Sequence, residues 1–187
     1  KHMFSSEIDK FATKYIKTNH NPEYLFDDIK NRDINDVPDI DIYVAGFPCQ
    51  PYSRANKFKL EVDPRTDLFH DCAKVIHERQ PKIFILENVK GLINHDKGKT
   101  FEVILDQLKK LKTYNVYWKL FNTKNYGVPQ SRERIYIVGI DKKLDKGFRF
   151  PKEVSLDITV ADVIETYDNI DPKFGYLTEH KTNLINE

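Results

Sequence analysis

The chain has 187 residues, a mass of 22.1 kDa and a formal net charge of +1, from 30 Lys and Arg against 29 Asp and Glu. Hydrophobic residues make up 40% and charged residues 32%, a mix that excludes collagen-like, mucin-like and wholly disordered chains. Because the charge is near zero, any nucleic-acid binding must come from a local site. The length is typical of about one domain, large enough to fold without disulfides or metal.

The two cysteines, Cys49 and Cys72, are far apart and form no Cys-x-x-Cys pattern. This argues against a disulfide framework or a structural zinc site, and it favours a reducing, intracellular location. The six histidines show no metal-ligand spacing, so we predict no metal. No apolar run approaches the ~18 residues of a membrane span.

Helix and strand patterns alternate along the chain. Residues 3–6 are predicted to form a strand, and residues 6–9 resemble a capping box that opens a helix. Apolar residues at helical spacing predict further helices around 68–76 and 101–111. Apolar and β-branched runs predict strands at 42–47, 83–86 and 135–140, and their lack of polar alternation predicts that both faces are covered. This order predicts an α/β fold with a mainly parallel sheet over residues 1–150. Residues 151–187 are expected to form a connecting segment, with a short helix from Thr159.

Reactive side chains follow or precede these strands. In open α/β sheets, ligands bind beyond the carboxyl ends of the strands. The strand at 135–140 is preceded by its polar residues, and a strand-like stretch at 114–121 favours an antiparallel reversal. A thiol, a carboxylate and guanidinium groups are therefore expected to meet at one edge, from Cys49, Glu87, Arg132 and Arg134.

These groups suit attack on an electron-poor ring. A cysteine thiolate is a strong nucleophile, and nearby arginine charge raises the thiolate fraction. A carboxyl group can bind a ring nitrogen and an amino group, while a guanidinium suits a carbonyl oxygen. Cytosine carries this combination of substituents.

Three blocks make the resemblance specific. In order, identity and spacing, GFPCQPYS at 46–53, ENVKGL at 87–92 and QSRER at 130–134 resemble the DNA cytosine-5 methyltransferase family. The resemblance implies a Rossmann-like fold that uses S-adenosylmethionine as cofactor. It also implies duplex DNA with a flipped cytosine as substrate, a cognate restriction endonuclease as partner, and a cytoplasmic setting in a prokaryote or virus.

The resemblance also implies roles for individual residues. Cys49 would add to carbon 6 of a flipped cytosine, Glu87 would hold ring nitrogen 3 and the amino group, and Arg134 would hold oxygen 2. Arg132 would support the thiolate and its loop. The implied substrate or loop residues are Gln50, Ser53, Asn88, Val89 and Gln130. The resemblance implies that Glu7 contacts the ribose hydroxyls of the cofactor and that Asp28 and Ile29 bracket its adenine. The other implied cofactor contacts are Ile8, Pro48 and Leu68.

The chain departs from the family pattern in several places. The family's Phe-x-Gly-x-Gly-Gly block is expected before Lys1, and its target recognition region after Pro151. The loop at 54–67 lacks the usual glycines, and Tyr52 replaces the commoner Phe. We therefore expect a central catalytic portion, truncated at both ends and inactive alone.

Three alternatives compete with this hypothesis. A related enzyme would methylate cytosine in transfer RNA, and a non-catalytic remnant would only bind nucleic acid. A zinc nucleobase deaminase is rejected, because Tyr52 stands where its second cysteine should be and no His-x-Glu occurs. Cys72, on an apolar helix face, is predicted to be structural.

Overall fold

A computed structural model describes residues 1–47 and 68–164. Its strands are β1 (Phe4–Ser6), β2 (Tyr24–Phe26), β3 (Ile42–Gly46), β4 (Ile83–Val89), β5 (Tyr114–Asn122) and β6 (Glu133–Asp141). Its α-helices are α1 (Lys10–Asn19), α2 (Leu68–Arg79), α3 (Gly91–Asn94) and α4 (Lys99–Lys110). Short 3₁₀ helices cover Ile34–Asp36, His95–Gly98 and Thr123–Asn125.

The chain divides into two compact units. One contains Lys1–Asn122 and Arg132–Lys152, and the other contains Thr123–Ser131 and Glu153–Glu187. All the strands and α-helices named above therefore belong to the first unit. The boundary that the sequence predicts at residue 150, between the catalytic domain and a connecting segment, stays a prediction.

The strands of the first unit form two sheets. β1 and β2 form a parallel pair, and the larger sheet has the order β3-β4-β6-β5. In that sheet β3 is parallel to β4, while β6 is antiparallel to both β4 and β5. The predicted α/β fold is confirmed, with parallel pairs and the antiparallel reversal of β5 into β6. The reversal brings the amino end of β6 to the carboxyl end of β4.

One face of the larger sheet forms the core with α2 and α4. The helices bury Phe69, Cys72, Val75, Ile76, Phe101, Ile104 and Leu108, which confirms both predicted apolar faces. Phe84 on β4 is fully buried and lies opposite Gly139 on β6. A Cβ at residue 139 would lie 2.0 Å from the Phe84 ring, so this glycine leaves the space that the aromatic ring fills.

The opposite side of β3 is open in the described structure. Ile42 and Val44 are 56% and 65% exposed, whereas Tyr43 between them is buried. The prediction that both faces of this strand are covered is therefore wrong for the described residues. The run looks uniformly apolar in sequence, but α2 covers only the Tyr43 side.

The first helix begins later than the sequence pattern predicts. Ser6 belongs to β1, because its pairing with Phe26 continues the parallel ladder. The N-cap is Asp9, whose carboxylate accepts hydrogen bonds from the backbone N–H of Phe11 and Ala12. No residue of α1 is buried, and the Phe11 side chain is 73% exposed.

The described part of the second unit contains the 3₁₀ helix at Thr123–Asn125, turns and an isolated bridge. Tyr126 forms an isolated bridge with Val154, whose N–H donates to Asn125 O at 3.0 Å. Residues 161–163, where a helix is predicted from Thr159, form a turn in the described structure. The Asp162 carboxylate accepts from both the N–H and the hydroxyl of Thr159, at 2.7 and 2.8 Å. In residues 1–47 and 68–164, no helix has the length and apolar character needed to cross a membrane.

The loop after β6 is organised around one carboxylate. Asp145 accepts hydrogen bonds from Tyr117 Oη at 2.5 Å and Asn115 Nδ2 at 2.6 Å, both on β5. It also accepts from the backbone N–H of Gly147 and Phe148, at 2.9 and 3.0 Å. The Tyr117 bond, followed by the Asn115 bond, lowers the pKa of Asp145 from 3.8 to about 2.

We expect Asp145→Ala to lower the free energy of unfolding at neutral pH and to change its pH dependence. A depressed pKa stabilises the fold above the pKa of the unfolded carboxyl, and that contribution is lost as pH falls to about 2. The difference between the parent and the variant should therefore shrink between about pH 4 and pH 2. Urea unfolding at several pH values measures this difference in the free energy of unfolding. Asp106→Ala, at an exposed position on α4, is the control, and a pH-independent difference for Asp145→Ala would contradict the assignment.

Candidate active site

Glu87 and Arg134 meet at the edge predicted for the site. Val89 on β4 pairs with Arg134 on β6, so Glu87, two residues earlier, lies on the same face as Arg134. Arg134 Nε is 2.7 Å from Glu87 Oε1, with side-chain exposures of 20% and 32%. The antiparallel reversal therefore places the carboxylate and the guanidinium in direct, partly buried contact.

These charged residues lie inside strands. The sequence pattern places Glu87, Asn88 and Val89 after a strand, but they are the last three residues of β4. Arg134 is likewise the second residue of β6, whereas Arg132 precedes the strand and is exposed. Pairing with β6 extends β4 through these polar residues, and it fixes their backbone more firmly than a loop would.

The end of β3 lies against the Glu87 carboxylate. Gly46, the last residue of β3, pairs with Glu87, and a Cβ at residue 46 would lie 3.3 Å from Glu87 Oε2. The chain thus enters the segment from residue 48 directly beside Glu87. The predicted residues Pro48, Cys49, Gln50 and Ser53 lie outside the described residues.

Asn88 ties the two strand ends together. It is 2% exposed, and its Nδ2 donates to Phe47 O at 3.2 Å. Its Oδ1 accepts from the N–H of Val89 at 2.8 Å. Both the amide nitrogen and the amide oxygen of the buried Asn88 side chain are therefore hydrogen-bonded. This side chain holds Phe47, the residue immediately before Pro48, in place.

A second ion pair braces the same edge. Lys90 Nζ lies 2.9 Å from both carboxylate oxygens of Glu133, and Arg134 Nη1 donates to Glu133 O at 2.8 Å. Both side chains of the Lys90–Glu133 pair are about half exposed, so we assign it little stability. Sequence reasoning missed these contacts and the role of Gly46, because they follow from the strand register.

Apart from Pro48, which lies outside the described residues, the predicted cofactor residues line one cavity of about 920 Å³. It is lined by Glu7, Ile8, Asp28, Ile29 and Leu68 among others. Glu7 Oε1 accepts from the N–H of Asp9, and Asp28 Oδ1 from the N–H of Lys30, both at 2.9 Å. Carboxylates suit hydroxyl donors and the apolar side chains suit a flat ring, so this set fits the adenosyl part of S-adenosylmethionine.

Other predicted residues are placed elsewhere. Gln130 belongs to the second compact unit, where its N–H donates to Val128 O at 2.7 Å. Cys72 is buried on α2, and burial raises the pKa of its thiol to about 11, in agreement with a structural role. Among the residues that the structure describes, no group of three or more His, Cys, Asp or Glu is arranged to hold a metal.

A family model described as C-5 cytosine-specific DNA methylase matches residues 1–187. The chain belongs to this family. Type II methyltransferase M.NlaX of Neisseria lactamica is 44% identical over 165 residues, which cover 88% of this chain and 52% of that protein. M.HaeII of Haemophilus aegyptius is 44% identical over 179 residues, covering 96% of this chain and 55% of that protein.

This member of the methylase family spans about half the length of the curated relatives it matches. A solved structure of a Spodoptera frugiperda DNMT2 variant has a TM-score of 0.66 and 24% identity, covering 91% of this chain and 54% of that one. That likeness confirms the predicted methyltransferase fold.

We expect Asn88→Ala to destabilise the fold by about 1–3 kcal/mol, because it leaves buried backbone groups without their partner. Urea unfolding followed by circular dichroism measures the change. Asn94→Ala, at an exposed position on α3, should change the free energy of unfolding by less than about 0.5 kcal/mol. Equal effects of the two substitutions would contradict a tether between β3 and β4.

Proposed function

We propose that this chain carries the catalytic centre of a DNA cytosine-5 methyltransferase of a restriction-modification system. The enzyme transfers a methyl group to carbon 5 of a cytosine flipped out of duplex DNA. The observation that carries the proposal is the Glu87–Arg134 pair, set beside the end of β3 from which the chain continues to Cys49. The match of the chain to the family model for C-5 cytosine-specific DNA methylases supports DNA rather than transfer RNA as the substrate.

Cys49 is the proposed nucleophile. Its thiolate forms a bond to carbon 6 of cytosine, and the electrons of the 5,6 double bond make carbon 5 nucleophilic. S-adenosylmethionine, when bound, would supply the methyl group that carbon 5 accepts, and the thioether S-adenosylhomocysteine would leave as the product. Loss of the proton from carbon 5 restores the double bond and expels the Cys49 sulfur. The target atom is unreachable in the base stack, so flipping, at a few kcal/mol, precedes the chemistry.

Glu87 and Arg134 are proposed to hold the ring. A carboxyl group at residue 87 can bind nitrogen 3 and the amino group, and the Arg134 guanidinium can donate to oxygen 2. Before the base enters, the two side chains satisfy each other at 2.7 Å. Their partial burial strengthens the interaction with charge that develops on the ring, because water is partly excluded there.

The cavity residues are proposed to hold the cofactor. Glu7 would accept hydrogen bonds from the ribose hydroxyls, while Asp28 and Ile29 would bracket the adenine. Ile8 and Leu68 line the same cavity. Pro48 would shape the turn after β3 and touch the edge of the cofactor. A restriction endonuclease that recognises the same DNA sequence is the proposed partner.

We expect Cys49→Ser to reduce methyl transfer to duplex DNA by about 10³-fold or more, because a hydroxyl is far less ionised than a thiol. The assay uses the full-length protein containing this chain and labelled S-adenosylmethionine. Cys72→Ala is the matched control and should retain transfer, since Cys72 lies on the buried face of α2. Near-normal turnover by Cys49→Ser would contradict the nucleophile, and transfer to transfer RNA alone would contradict the substrate.

Glu87→Gln should slow the single-turnover rate constant about 10²- to 10⁴-fold while DNA binding is retained, because the amide keeps the size but not the charge or acidity of the side chain. Rapid-quench kinetics and a DNA-binding titration separate the two effects. Glu102→Gln, at an exposed position on α4, is the control. An unchanged rate constant would argue against the role of Glu87.

A further inference from the structure

The Lys90–Glu133 ion pair adjoins the candidate active site. Val89 and Arg134 form the last register pair between β4 and β6, and Lys90 and Glu133 are the next residues beyond it. Lys90 follows Glu87 by three residues, a backbone distance of no more than about 11 Å. The pair therefore lies at the edge where a cytosine bound to Glu87 and Arg134 would continue into its sugar and phosphates.

This ion pair is weakly held. The Lys90 ammonium lies 2.9 Å from each carboxylate oxygen of Glu133, and the two side chains are 49% and 40% exposed. Neither side chain has another hydrogen-bond or ion-pair partner among the residues that the structure describes. An exposed ion pair contributes little to folding, because water solvates both charges when they separate. Either charge can therefore change its partner at low cost.

Lys90 suits a phosphate better than the neighbouring Arg134 does. The Arg134 side chain contacts Glu87 and is 20% exposed, whereas that of Lys90 is 49% exposed. The chain has a net charge of only +1, so attraction for a DNA backbone must come from individual cations near the site. A lysine ammonium on a flexible stem can reach a phosphate oxygen. Binding to phosphate also releases condensed counterions, a gain that the contact with Glu133 does not provide.

We infer that Lys90 exchanges Glu133 for a phosphate of the DNA strand that carries the target cytosine. The inference rests on the proposed function, from which it takes DNA as the substrate. Before DNA binds, the Glu133 carboxylate holds the ammonium at the edge of the site and competes with the phosphate for it. Glu133 therefore opposes DNA binding, although it lies beside residues that are proposed to hold the substrate. A permanent brace between β4 and β6 would instead keep the ion pair intact in the complex.

The salt dependence of DNA binding tests the exchange. The full-length protein containing this chain is titrated with a DNA duplex that it methylates, and log Kd is plotted against log salt concentration. Each phosphate that a lysine neutralises contributes about 0.9 to the slope. Lys90→Gln should therefore reduce the slope by about 1 and weaken binding about 3- to 10-fold at low salt. Lys90→Arg keeps the charge and should retain the slope of the parent.

Glu133→Gln should have the opposite effect on affinity. Removing the competing carboxylate should tighten DNA binding about 2- to 5-fold, because only a weak, exposed ion pair no longer has to be broken. The slope should stay that of the parent, since the number of phosphate contacts is the same. The gain should vanish when Lys90→Gln is added, so the double variant should bind like Lys90→Gln alone.

Control substitutions separate this exchange from general electrostatic effects. Lys82 forms a similar exposed ion pair with Asp41, at 2.6 Å, immediately before β4 begins. It lies about 20 Å from Lys90 along the strand, beyond the Debye length of about 8 Å at physiological salt. Lys82→Gln should therefore change Kd by less than about 2-fold. Glu102→Gln, at an exposed position on α4, is the control for loss of a carboxylate.

The possible results distinguish the exchange from a permanent brace. An unchanged slope for Lys90→Gln, unchanged or weaker binding by Glu133→Gln, or a gain that persists in the double variant would overturn the inference. Circular dichroism verifies that each variant is folded. If the parent methylates the duplex and Lys90→Gln keeps the slope, the inference alone fails. If the parent does not methylate duplex DNA, the proposed function fails and the inference fails with it.

Discussion

The contact between Glu87 and Arg134 depends on one strand running against its neighbours. β6 is antiparallel to β4, so its first residues lie beside the last residues of β4. With a parallel β6, the guanidinium would be at the opposite end of the sheet. A carboxylate and a guanidinium 2.7 Å apart satisfy each other, and this makes a partly buried pair tolerable at the end of a hydrophobic sheet.

The surrounding residues serve that pair in different ways. Gly46 leaves room for the Glu87 carboxylate, because any Cβ there would approach it to 3.3 Å. Asn88 points to the other face of β4, into the core, and binds the carbonyl of Phe47. Two successive residues of β4 thus have different roles. Glu87 faces the candidate site, and Asn88 holds the neighbouring strand in register. Such placement on paired strands restricts the reactive groups more than placement on loops would.

The first unit is unevenly covered. α2 and α4 bury one face of the larger sheet, while β3 has exposed apolar side chains and an unpaired edge within the described structure. The cofactor residues predicted from the family resemblance line the same cavity as this edge. The proposed cofactor site and the open strand edge are therefore neighbours.

The sequence by itself determined the α/β class, the three main strands, both core helices and membership of the methylase family. These depend on local periodicity and on short motifs whose residues are close together in the chain. It predicted a strand at residues 3–6, which β1 confirms, but it placed the start of α1 at Ser6, three residues before the N-cap Asp9. It also treated β3 as covered on both faces, because an apolar run does not reveal which neighbours are present.

Only the tertiary structure decided the strand register. Register brings together residues 41 to 47 positions apart, such as Gly46 with Glu87 and Glu87 with Arg134, and it put Asn88 against the Phe47 carbonyl. It likewise gathered Glu7, Asp28 and Leu68 around one cavity. A one-residue shift in pairing would turn these side chains to the other face, and no local pattern in the sequence specifies that choice.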